Sequence, residues 1–155
     1  MSAQAAPRVT ASDPFAPARR PFEEMVAHLG REAIEGMNHS DMERDLGQRG
    51  QELLRTLYQG WLDQQAETET EADVVDAEGT ERPLKREHDR ALQTVFGPVR
   101  VKRSGYGTEE KASLHPLDGQ LNLPEEIYAH ELRRRAAEEA SKSSFDETVA
   151  SQDRG

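Results

Sequence analysis

Gly97-Pro98 sits between two alternating runs, Leu92 to Phe96 and Val99 to Arg103. Glycine at the first position of a two-residue turn makes this a β-hairpin. In that register Phe96 faces Val99 and Thr94 faces Val101, with Leu92 on the same side. Gln93, Val95, Arg100 and Lys102 take the opposite, mostly polar and basic face. Upstream, Asp73-Val74-Val75-Asp76 reads as a short strand and Ala77-Glu78-Gly79 as a turn, glycine supplying the positive φ. Thr80 to Arg90 is charged and carries Pro83, which suits an edge. The expectation is a three-stranded antiparallel β-meander over residues 72–107, with a helix across its apolar face.

The remaining order reads as helix, so the expected fold class is α+β. Phe22, Met25, Val26, Leu29, Ala33, Ile34 and Met37 recur at helical spacing. Met42, Leu46, Leu53, Leu54, Leu57, Trp61 and Leu62 do so again after a capping box at Ser40 and Glu43. A short connection makes these an antiparallel helical hairpin over 21–65 that buries Trp61. An acidic linker follows at 66–71. Residues 108–123 read as a loop pinned by Leu114, Leu117, Leu121 and Leu123. Over 124–155, Pro124 opens a helix with Ile127, Tyr128, Leu132, Ala136 and Ala140 on its buried side. A Ser-Lys-Ser-Ser break and a second short helix from Ser144, with Phe145 and Val149, then resemble the start of a helix-turn-helix.

Composition limits what these pieces can build. Leu, Ile, Val and Phe supply only 27 of 155 residues, about 17%, below the roughly 20% that marks disorder at high charge. A large, deeply buried core is excluded. No apolar run approaches the roughly 20 residues of a membrane span. The Ala/Pro-rich residues 1–20 lack a signal-peptide core, so they read as a disordered arm and the chain as cytoplasmic. The absence of cysteine removes disulfides, thiol nucleophiles and Cys-ligated zinc.

Charge is unevenly placed. The chain carries a net charge of -10, yet Arg82 to Arg103 holds seven basic residues against Glu87 and Asp89. Arg90, Arg100, Lys102 and Arg103 are therefore the candidate phosphate contacts, and DNA the candidate partner. Edge strands carry the same residues to prevent sheet-to-sheet pairing. The five histidines are scattered without a His-Glu-x-x-His pair, and no phosphate-binding glycine loop or nucleophile elbow is present. No catalytic residue, metal site or cofactor is expected. His115 with Asp118, in a small hydrolase, is the one enzymatic alternative.

Three stretches resemble the N-terminal region of bacterial insertion-sequence transposases of the ISKra type. They are Phe22-Glu23-Glu24-Met25-Val26 with Asn38-His39-Ser40-Asp41-Met42-Glu43; Leu92 to Val101; and Ser113-Leu114-His115-Pro116-Leu117-Asp118 with Leu121-Asn122-Leu123-Pro124, Leu132-Arg133-Arg134 and Phe145-Asp146-Glu147. The likeness runs from about residue 20 onward in the family's order. It implies a DDE-type enzyme whose acidic triad and divalent metals lie in a catalytic domain downstream of every position matched here. The chain is then expected to be a truncated transposase fragment, not an enzyme on its own, with weak DNA-end or dimer contacts. The alternative is a stand-alone interaction module, or a dimeric inhibitor that pairs with full-length transposase.

Overall fold

The computed structural model describes residues 12–71 and 73–152. Among these, four helices and one two-stranded antiparallel sheet follow the order α1 (Ala16–Glu35), α2 (His39–Thr68), β1 (Leu84–Thr94), β2 (Gly97–Gly107), α3 (Pro116–Gln120) and α4 (His130–Gln152). Residues 1–11 of the expected arm, and the side chains of Ala33, Ile34 and Val149, lie outside the described residues.

α1 starts ahead of Pro21 because Asp13 organises its first turn. Asp13 accepts the Phe15 N–H at 3.0 Å and the Arg19 Nε–H at 2.8 Å. Pro17 sits in the opening turn, where a missing N–H costs nothing. Gly36 ends the helix at φ +81, donating its N–H to Glu32 O. Asn38, rather than Ser40, caps α2, its Oδ1 accepting the Asp41 N–H at 2.9 Å. α1 and α2 run antiparallel: the start of α1 meets Gly60 late in α2, and His28 meets Asp45 early in α2. A Cβ on Gly60 would fall 2.5 Å from the Pro14 carbonyl oxygen and 2.9 Å from the Phe15 ring, so glycine admits this contact. Trp61 is not buried between the helices but 40% exposed.

The sheet corrects the expected meander, having two strands rather than three. Leu92 lies opposite Val99 and Arg90 opposite Val101, so the tight turn falls at Val95-Phe96 instead of Gly97-Pro98. Thr94 Oγ1 donates to Gly97 O and accepts from the Phe96 N–H, while the Phe96 ring packs edge-on against Tyr58 of α2. α2 thereby claims the phenylalanine that the other register pairs with Val99. The partners shift by an even number of residues, so each side chain keeps its face.

Val74 and Val75 stay out of the sheet. Their segment closes on itself with one bridge, Val75 to Glu81, around Asp76. Asp76 accepts the Glu78 and Thr80 N–H groups at 2.9 Å and pairs with buried Arg82 at 2.8 Å. Gly79 holds φ +83 in the turn. A side chain that satisfies its own turn leaves little for a neighbouring strand to bond.

The core is small. Leu62 of α2 meets Leu92, Val99 and Val101, with Tyr58, Leu121, Leu123 and Ala129 around them. α2 also guards the outer edge of β2. The Gln59 amide exchanges hydrogen bonds with both backbone groups of Arg100, and Glu69 accepts the Ser104 N–H. The acidic run expected as linker is thus α2 as far as Thr68 and an edge cap at Glu69.

The C-terminal expectation is corrected too. Residues 124–129 are not helical: the chain bends at 125–127 and Tyr128 bridges to Gln93, which donates its N–H to Ile127 O and accepts the Ala129 N–H. Ile127 and Tyr128 are 44% and 52% exposed, not part of a buried stripe. From His130 one uninterrupted helix crosses Ser141–Ser144, so the start of a helix-turn-helix is not formed. Arg134 bridges Glu131 and Glu138, Lys142 pairs with Glu139, and no Gly or Pro interrupts the run.

Candidate nucleic-acid interface

The alternation of the hairpin decides where its cations go. On β1, Arg90 shares the face of Leu92; on β2, Arg103 shares that of Val101. Both therefore turn toward the body of the protein. Arg90 donates to the carbonyl oxygens of Pro124 and Glu126, each at 2.8 Å, and lies 3.4 Å from Asp118 Oδ2. Arg103 keeps 9% side-chain exposure, its Nε 2.8 Å from Asp118 Oδ1. Neither atom of that close pair has hydrogen-bond geometry, so its attraction is Coulombic. α3 supplies Asp118, and Leu117 beside it is buried and pins the helix.

The two other candidates face outward among acids. Arg100 Nε bonds Asp89 Oδ2 at 2.8 Å, with more than half of the arginine side chain exposed. Lys102 lies opposite Asp89 in the register and lines a groove with Asp63, Glu67 and Glu87. The four candidates thus do not form one basic surface. Two neutralise Asp118 inside, and two sit on a solvated face of mixed charge. Lys85, on the outward face with Arg100 and Lys102, is an exposed cation that the candidate set missed. Its parity with Lys102 across the strands was the available signal.

Next to the arginines lies a histidine pair. His88 Nδ1 and His115 Nε2 are 2.9 Å apart, so one ring donates and the other accepts. Burial, then the nearby Arg103 charge, pushes the His115 pKa below its ordinary value. Gly105 leaves room for the pair: a Cβ there would sit 2.7 Å from His88 Nδ1. His115 bonds His88 and not Asp118, whose carboxylate is held between two guanidinium groups. The expected pairing of His115 with Asp118 is therefore not made by a direct hydrogen bond.

His28 joins the helices: its Nε2 lies 2.7 Å from Asp45 Oδ2 of α2, and its Nδ1 3.8 Å from Glu32 one turn on. Among the described residues, no three His, Asp or Glu side chains converge as metal ligands. No described helix is long and apolar enough to cross a membrane. No family model matches the chain, and neither a curated protein nor a solved structure matches it.

Proposed function

We propose that this chain is a non-catalytic N-terminal portion of an ISKra-type insertion-sequence transposase, acting in the cytoplasm through protein contacts and touching DNA only weakly. The ordered motif resemblance supports the family. The observation that carries the weak-contact reading is the withdrawal of Arg90 and Arg103 onto Asp118, which leaves only Arg100 and Lys102 of the four candidates facing outward, with Lys85 beside them. Cations beside Glu87 and Asp89 bind phosphate without reading base edges. The same module, standing alone, could inhibit full-length transposase by pairing with it; the open apolar face of the α1–α2 hairpin favours this second reading.

Fluorescence anisotropy on insertion-sequence terminal and scrambled duplexes tests the proposal. Wild type is expected to bind both equally and weakly at low salt, and an Arg100→Glu, Lys102→Glu double variant to lose that binding. Submicromolar, sequence-selective binding at physiological salt would overturn it.

A further inference from the structure

Phe22, Val26 and Leu29 follow one another at i, i+4 and i+7 on α1; Leu54, Leu57 and Trp61 do so at i, i+3 and i+7 on α2. The two rows belong to one face of the hairpin, joined by an apolar groove of about 230 Å³ between Phe22, Leu53 and Leu57. The neighbouring side of α2, with Tyr58, Gln59 and Leu62, is already taken by the sheet, and Trp61 stacks on Tyr58 with ring centroids 6.0 Å apart. The six side chains remain 38–51% exposed. That leaves about 500 Å² of apolar surface per copy, toward the upper end of the roughly 300–600 Å² usual for the largest patch on a monomer.

We propose that this face is covered by the same face of a second copy, giving a two-fold contact between two helical hairpins. The inference deepens the protein-contact reading above and rests on it. Charge argues for this occupant. In a chain that is 32% charged with a net charge of -10, the groove at this face has a single charged lining residue, Arg19. Arg19 at the groove's edge is already paired with Asp13 at 2.8 Å. Two copies meeting here bring no like charges together at the centre, whereas most other faces would. A neutral apolar surface offers nothing to a phosphate backbone. Area argues the same way. An isologous contact uses the patch twice, about 1,000 Å² before flanking residues count, below the roughly 1,200–2,000 Å² of stable specific interfaces and in the range of weak, transient ones. Paired hairpins make a four-helix arrangement, the ordinary way for amphipathic helices to complete their burial. A weak dimer follows, half-formed somewhere in the range of about 1–100 µM.

Sedimentation velocity on the full chain from about 1 to 500 µM, without DNA, tests this. Wild type should shift from monomer to dimer. Val26→Glu and Leu54→Glu alter side chains about half exposed in the monomer, and each should raise the dissociation constant at least tenfold while the far-UV circular dichroism stays unchanged. Phe145→Glu, at an exposed position on α4, which packs on β1, should change nothing. A wild type that stays monomeric throughout overturns the proposal, as does a dimer indifferent to both hairpin variants. A dimer lost in Phe145→Glu overturns it as well, because α4 of the other copy is then the occupant. None of these outcomes alters the anisotropy titration on DNA, so the two readings fail separately.

Discussion

Asp118 is the residue on which the interior charge balance turns. With side-chain exposures of 18% for Arg90, 9% for Arg103 and 23% for Asp118, the three charges are largely withdrawn from water. Removing the Asp118 charge leaves Arg103 without its ion pair, while Arg90 keeps the Pro124 and Glu126 carbonyls; breaking a fully buried pair costs roughly 3–5 kcal/mol. Asp118→Asn is therefore expected to lower stability by about 2–4 kcal/mol, read as a lower urea midpoint at unchanged m-value. A neutral result would show that water already solvates the arginines. The neighbouring His115 adds a pH dependence of definite sign. Its pKa is depressed in the folded state, so the unfolded chain takes up the proton first. Its contribution is intact above the unfolded pKa of about 6.5 and is lost as pH falls below it toward the folded value. Stability should decline on acidification from pH 7, and His115→Gln should flatten that decline between pH 6.5 and the lower, folded value. An unchanged profile in the variant would assign the acid sensitivity to other groups.

At the scale of elements, the glycines of α2 separate close approach from plain tolerance. Gly60 lies against Pro14 and Phe15, whereas a Cβ on Gly47 meets nothing within 4 Å. Gly47→Ala should stabilise by up to about 1 kcal/mol through helix propensity. Gly60→Ala should destabilise despite the same propensity gain, because backbone must move; thermal melts of both variants decide it. Apolar spacing made α1 and α2 legible, and strand alternation made the faces of β1 and β2 legible. The turn position was not, because Thr94 and Tyr58 between them decide the place of Phe96, and Tyr58 is distant in sequence. Val74-Val75 looked like a strand because a two-residue β-branched run does not reveal that Asp76 will close its own turn. Ser141–Ser144 looked like a break because serine has poor helix propensity, yet Lys142 pairs with Glu139 across it. For the site, parity already placed Arg90 with Leu92 and Arg103 with Val101. What the linear pattern lacked was the neutralising Asp118, 28 residues beyond Arg90.

For the whole molecule, the acidic chain keeps its densest basic stretch largely neutralised. Inward cations are spent on Asp118, Arg100 on Asp89, and Lys102 stands near Asp63, Glu67 and Glu87. α4 meets little besides β1, and the hairpin leaves its apolar face open. The salt dependence of DNA binding measures how many cations are free. With the outward Lys85, Arg100 and Lys102 alone engaged, the log–log slope of the binding constant against salt should be no steeper than about -2.7, since each neutralised phosphate contributes roughly -0.9. A slope of about -4.5 or steeper would mean that Arg90 and Arg103 also reach phosphate, contradicting their placement on Asp118.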